Sequence, residues 1–145
     1  GLTQRLPHDF TLTARLAGQA AIEPLISNEQ FAIGGARSVR GYLEAEELGD
    51  LGIQGTLELG SPPLRREALH MEASAFAFLD FGFVSLIDPL PGEPSSADLR
   101  SVGAGINFVL MKRLSGSLAW AYPLVPGERT AEGEDRLLFL IRGEW

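Results

Sequence analysis

The sequence predicts an all-β chain of about six antiparallel strands, on three observations. Apolar and polar residues alternate through six segments of about ten residues each, while helical periodicity is scarce. The positions opposite the apolar ones are mostly small or polar, and the connections alternate between long and short.

The first segment, "FTLTARLAG", sets Phe10, Leu12, Ala14, Leu16 and Gly18 against Thr11, Thr13, Arg15, Ala17 and Gln19. A long irregular stretch follows over about 20–51. "GIQGTLELG" sets Ile53, Leu57 and Leu59 against Gln54, Thr56 and Glu58, and a short link, "SPPLRREA", leads on. "LHMEASAFAFLDFGF" is the longest alternation, with Met71, Leu79, Phe81 and Phe83 opposite Glu72, Ser74, Phe76, Phe78, Asp80 and Gly82. A long link precedes "SVGAGINFVLM", where Val102, Ile106 and Phe108 share one face and Gly103, Gly105 and Asn107 the other. After the dipeptide "KR" comes "SGSLAWAYPL", with Leu118, Trp120 and Tyr122 opposite Ser117, Ala119 and Ala121. A last long link leads to "RLLFLIRGEW", where Leu137, Phe139, Ile141 and Trp145 align against Arg142 and Glu144.

Such alternation fits two architectures. A soluble β-sandwich turns the apolar face inward, whereas a transmembrane barrel turns it outward to lipid around a polar lumen. Segment lengths near those of a tilted spanning strand favour the barrel, and so does the long-short order of connections, which in outer-membrane barrels distinguishes outside loops from periplasmic turns. The first alternating strand then runs outward and Trp145 ends at the periplasmic face. Six strands do not close such a barrel, which needs at least about eight. The chain is therefore expected to be part of a larger barrel or to assemble with copies of itself.

Composition narrows the function classes. At 145 residues with 45% hydrophobic content the chain is the size of one domain. Its 19 acids against 12 bases, net charge -7, argue against a nucleic-acid partner, which needs clustered Lys and Arg. The absence of cysteine excludes disulfides, thiolate metal sites and a cysteine nucleophile. No apolar run approaches the roughly 20 residues of a membrane helix. His8 and His70 lack a nucleophile partner, and "GAGINF" lacks the third glycine and downstream acid of a dinucleotide site. Neither a catalytic residue nor a cofactor or metal site is expected. The run "EAEELGD", 44–50, reads as a solvated acidic segment.

Within the irregular stretch stands "GGARSVRGY", 34–42, and in the longest strand "FLDFG", 78–82. Together they resemble the outer-membrane assembly and secretion superfamily. In that superfamily a Val-Arg-Gly-Phe/Tyr tetrapeptide tips a loop folded into the barrel lumen, and the acid of a Phe-x-Asp-x-Gly motif on the lumen wall pairs with the loop arginine. Here the matching residues are Val39, Arg40, Gly41 and Tyr42, preceded by Gly34 and Gly35, and Phe78, Asp80 and Gly82, which alternation had already placed on the polar face. The strand pattern after the tetrapeptide is more similar to the two-partner-secretion, haemolysin-activator branch than to BamA-like insertases. The resemblance spans nearly the full chain as the C-terminal part, 1–145, of a barrel of about sixteen strands.

The resemblance implies an outer-membrane pore that passes a secreted partner protein to the cell surface, without cofactor, with POTRA domains upstream. Its other partners would be outer-membrane lipid and the barrel assembly machinery. Phe139, Ile141 and Trp145 are similar to a C-terminal insertion signal, although Gly143 departs from the apolar residue usual there. An insertase, a barrel anchor for a patatin-like lipase and a soluble β-sandwich binding module remain as alternatives.

Each motif residue has a physical task under this reading. Arginine offers a planar, permanently charged fork that holds a carboxylate bidentately, so Arg40 on Asp80 would pin a loop otherwise without backbone pairing. Glu58 would share Arg40 or accept from Arg37. Gly34, Gly35 and Gly41 would allow tight turns or close approach to the wall, and Tyr42 would use ring and hydroxyl against it. Asp80→Ala is expected to loosen the loop more than Asp50→Ala.

Overall fold

The computed structural model describes residues 1–66, 70–111 and 113–143. It contains β1 (Leu2–Arg5), a short 3-10 turn at Pro7–Asp9, β2 (Thr11–Gln19), β3 (Phe31–Ile33), β4 (Glu47–Gly49), β5 (Leu51–Gly60), β6 (Leu64–Arg66), β7 (Met71–Ser85), β8 (Ser96–Leu110), β9 (Leu114–Pro123) and β10 (Arg136–Gly143). One antiparallel sheet runs β1-β2-β5-β7-β8-β9-β10, with β6 beside β7, and β3 pairs with β4 in a separate two-stranded ribbon.

The alternating segments all become strands, and their neighbours in sequence become neighbours in the sheet. β6 prolongs the line of β5: β5 pairs with 76–85 of β7 and β6 with 71–73. Pro62 and Pro63, which have no N–H for a ladder, fill the gap. Ser61 bridges it, its N–H donating to the Ala75 carbonyl at 2.8 Å and its Oγ accepting from the Ala75 N–H at 2.9 Å.

Three expectations are corrected. β1, outside any predicted strand, pairs with β2 from Leu2↔Ala14 to Arg5↔Thr11, so the sheet continues before the first alternating segment. β8 starts at Ser96, which shortens the preceding link to 86–95. The stretch 20–50 is not without backbone pairing: Phe31, Ala32 and Ile33 pair with Gly49, Leu48 and Glu47. Trp145 lies outside the described residues.

The two faces of the sheet differ. Leu16, Leu57, Leu79, Phe83, Ile106, Trp120, Leu137, Phe139 and Ile141 stand exposed on one face, and among the described residues no second layer covers it. In a sandwich this face would be covered by a second sheet, and a contiguous exposed apolar face of this kind marks a surface that meets lipid or a partner. The other face carries the ribbon. Its Ile33, Val39 and Tyr42 pack on Val84 and Leu99 of the sheet, so the core lies between loop and wall. A second cluster, Phe76, Phe78, Ala119 and Ala121 with Leu138, lines the same face further along β7, β9 and β10. Gly103 and Gly105 stand opposite Phe78 and Phe76 in the register, and the rings lie where their Cβ atoms would be. The "GAGINF" glycines are thus seats for aromatic rings.

Candidate functional site: a loop pinned to the sheet wall

The site forms where the tip of the loop touches β5 and β7. Period-two geometry puts Glu58, Thr56 and Gln54 of β5 opposite Phe78, Asp80 and Gly82 of β7, all on the loop side. Asp80 is fully buried, and Arg40 approaches it from the loop. The Arg40 Nε donates to Asp80 Oδ2 at 2.7 Å, Nη2 donates to Oδ1 at 2.9 Å, and the Arg40 backbone N–H adds a third donor to Oδ2 at 3.1 Å. The remaining arm of the fork, Nη1, donates to Glu58 Oε2 at 3.0 Å. The guanidinium carbon lies 3.4 Å from the Phe78 ring centroid. Fork, two carboxylates and aromatic face together define both position and orientation, which a point charge would not do. Glu58 takes the sharing role; among the described residues Arg37 makes no ion pair.

The neighbouring residues fit the loop to the wall. Gly82 makes room for the loop, since a Cβ there would stand 2.9 Å from Val39 Cγ2 and 3.1 Å from Ile33. Gly41 has φ +96°, and its Cβ would meet Ala121 and Pro123 at 3.4 Å. The Tyr42 hydroxyl sits between two peptide groups, 2.7 Å from the Arg100 carbonyl and 2.8 Å from that of Val125, with the N–H groups of both residues within 3.4 Å. It donates to one carbonyl and accepts from the N–H groups, which ties the loop to β8 and to the chain after β9. Gly34 and Gly35, at φ +101° and +102°, turn the chain into the tip. Ser38 fastens that turn, accepting from the Gly34 N–H at 3.3 Å and donating to Gln54 of β5.

The acidic run is not a uniformly solvated segment. Glu44 is exposed, but Glu46 and Asp50 are buried and accept hydrogen bonds. Asp50 accepts from the Leu25 N–H at 2.8 Å and the Gln30 amide at 3.2 Å on one oxygen, and from the Ile87 N–H at 2.8 Å on the other. It therefore joins the base of the loop to the β7–β8 connection, and Asp50→Ala is no bland comparator for Asp80→Ala. Nothing local in the sequence distinguishes it from a solvated acid, because its donors lie 20, 25 and 37 residues away.

Donation by Ile87 and then Leu25 outweighs burial and, with Gln30, holds the Asp50 carboxyl below the usual aspartate range. A depressed carboxylate stabilises above its unfolded pKa and loses that contribution as pH falls through its folded value. Cleavage at 20–30 by an acid-active protease is therefore expected to stay flat from neutral pH downward and rise only below about pH 4. Asp50→Asn should remove the rise; an unchanged profile in that variant would exclude Asp50 as its source.

A single antiparallel sheet with an exposed apolar face, and a loop pinned to the opposite face through arginine and aspartate, is the arrangement of a β-barrel wall. The chain belongs to the haemolysin secretion/activation protein family ShlB/FhaC/HecB, whose family model matches residues 2–108. The class this family defines is that of two-partner-secretion transporters of the outer membrane. No curated protein matches the chain.

Proposed function

We propose that residues 1–145 are the C-terminal part of a barrel of about sixteen strands that passes a secreted partner protein from the periplasm to the cell surface. The loop 20–50 lies in the lumen, and its seat on the wall sets the passage. The single observation that carries the reading is the contact of Arg40 with Asp80 through both arms of the carboxylate, in a chain of the transporter family. Val39, Gly41 and Tyr42 shape the tip, Phe78, Glu58 and Gly82 form its seat, and Gly34 and Gly35 its approach.

The exposed apolar face contacts outer-membrane lipid, with Trp120 and Tyr122, ring centroids 6.0 Å apart, as interfacial aromatics. Phe139 and Ile141, exposed on β10, act with Trp145 as the signal read by the barrel assembly machinery. Transport needs no chemistry from this chain, so the reading assigns it no cofactor and no catalytic residue.

Arg40→Lys tests the reading, because lysine keeps the charge and loses the fork. Export of the partner protein by cells carrying the intact transporter is expected to fall by about tenfold or more, the effect of one lost charged hydrogen bond. The amount of transporter in the outer membrane should be unchanged. Undiminished export would remove the pin from the transport mechanism.

A further inference from the structure

The Arg40 pin holds the loop at its tip. A second set of contacts holds its return limb, 43–47, against the β9–β10 connection at 127–130. Glu46 is 1% exposed, yet the nearest guanidinium, that of Arg129, lies 4.0 Å away. Its partners are instead uncharged donors. Oε1 accepts from the backbone N–H groups of Arg129 and Thr130, the latter at 2.7 Å, and Oε2 accepts from Thr130 Oγ1 at 3.0 Å and the Leu43 N–H at 3.1 Å.

The contact is reciprocated. Arg129 Nη2 donates to the carbonyls of Glu44 at 3.0 Å and Ala45 at 2.8 Å, across a turn in which Ala45 takes the left-handed φ of 50°. The Glu128 N–H donates to Glu47 Oε1 at 2.9 Å. Gly127 leaves the space, since a Cβ there would stand 2.8 Å from Glu46 Oε1, and its N–H closes the turn onto the Thr130 carbonyl at 2.8 Å. A carboxylate withdrawn from water is tolerated only when such donors replace its hydration, and here three of the four come from a segment 83–84 residues further along the chain.

We propose that Glu46 is a positioning residue, the centre of a second lock on the loop. It works independently of the Arg40 pin and makes the return limb and the β9–β10 connection move as one body. The proposal rests on the reading that the loop governs passage through the lumen. Under it, the last outer connection is a handle: whatever displaces 127–130 displaces the loop, and the tip can stay seated while the limb opens.

Amide hydrogen exchange on the intact protein in a bilayer tests the lock without reference to export. In Glu46→Ala the amides of Arg129 and Thr130 should exchange about tenfold faster or more, while the Arg40 amide, which donates to Asp80, keeps its protection. Asp80→Ala should do the reverse. Thr130→Val, which removes only the hydroxyl donor, should act in the same direction as Glu46→Ala and decides the matter if that variant does not fold. Unchanged exchange at 129 and 130 in the variants that fold overturns the lock, and simultaneous release of the Arg40 amide overturns its independence. Exchange as expected together with undiminished export leaves the lock standing and overturns the reading of the loop as governor of transport.

Discussion

Replacing Asp80 by alanine is expected to release the loop tip and to have the largest effect of any single substitution at the site. Three donors of Arg40 lose their acceptor at once, in a place where Asp80 is fully buried and the Arg40 side chain 13% exposed. Breaking a buried pair by removing one partner costs about 3–5 kcal/mol when the remaining charge stays behind without compensation, and Glu58, still bonded to Arg40, lowers that figure here. Here the cost falls on the loop and not on the sheet. The ladder between β5 and β7 does not use the side chain, and Arg40 can leave for water or turn wholly to Glu58. Protease cleavage within 34–42 should therefore appear while the strands stay protected and the transporter stays in the membrane, and export of the partner should fail. Asp80→Asn should be intermediate, keeping one acceptor oxygen for the fork. Protection of 34–42 equal to that of the unmodified protein in Asp80→Ala would refute the pin.

The second large effect is expected from Gly82→Val, which leaves every charge in place. The room at Gly82 is taken up by Val39 and Ile33, both fully buried. Neither side can yield easily: β7 is held by β5 and β8, and Ile33 by the ribbon pairing. Overpacking a fitted contact costs about 1–3 kcal/mol, and a branched side chain on a wall that admits no Cβ belongs at the upper end. The tip should lift from the wall and draw Arg40 away from Asp80. A spin-label distance between Arg37 in the loop and Leu79 on the outer side of β7 should lengthen, with export reduced as in Asp80→Ala. The double variant Val39→Gly with Gly82→Val restores room and should recover part of the distance. If Gly82→Val leaves both distance and export unchanged, the seat is not formed by shape.

The tip motif entered through the family resemblance, and what the residues themselves showed was the face of the wall. Alternation put Phe78, Asp80 and Gly82 on the side opposite Leu79 and Phe81 before any partner was known, because a strand's side chains have no other choice of face. The positive-φ turns at Gly34, Gly35 and Gly41 fall where glycine was expected to serve them. Other features left no such mark. β1, β3 and β4 span 4, 3 and 3 residues, too few for a period to register. The first part of β8 was hidden because its outward positions, Asp98 and Arg100, are a charged pair at 3.1 Å, so the apolar alternation stops while the strand continues.

The pairing of Arg40 with Asp80 was implied only by the family resemblance; what the sequence by itself determined is the six long alternating strands and the face on which each of their side chains falls. These follow from local geometry, which a period of two carries in every few residues. Only the tertiary structure decided that the apolar face is uncovered, that Gly82, Gly103 and Gly105 are seats for other residues, and that Glu46 and Asp50 are buried fasteners in place of solvated acids. The reason is the same in each case. A glycine or a carboxylate reads identically whether it meets water or a group brought from tens of residues away, and the difference arises only when the chain closes on itself.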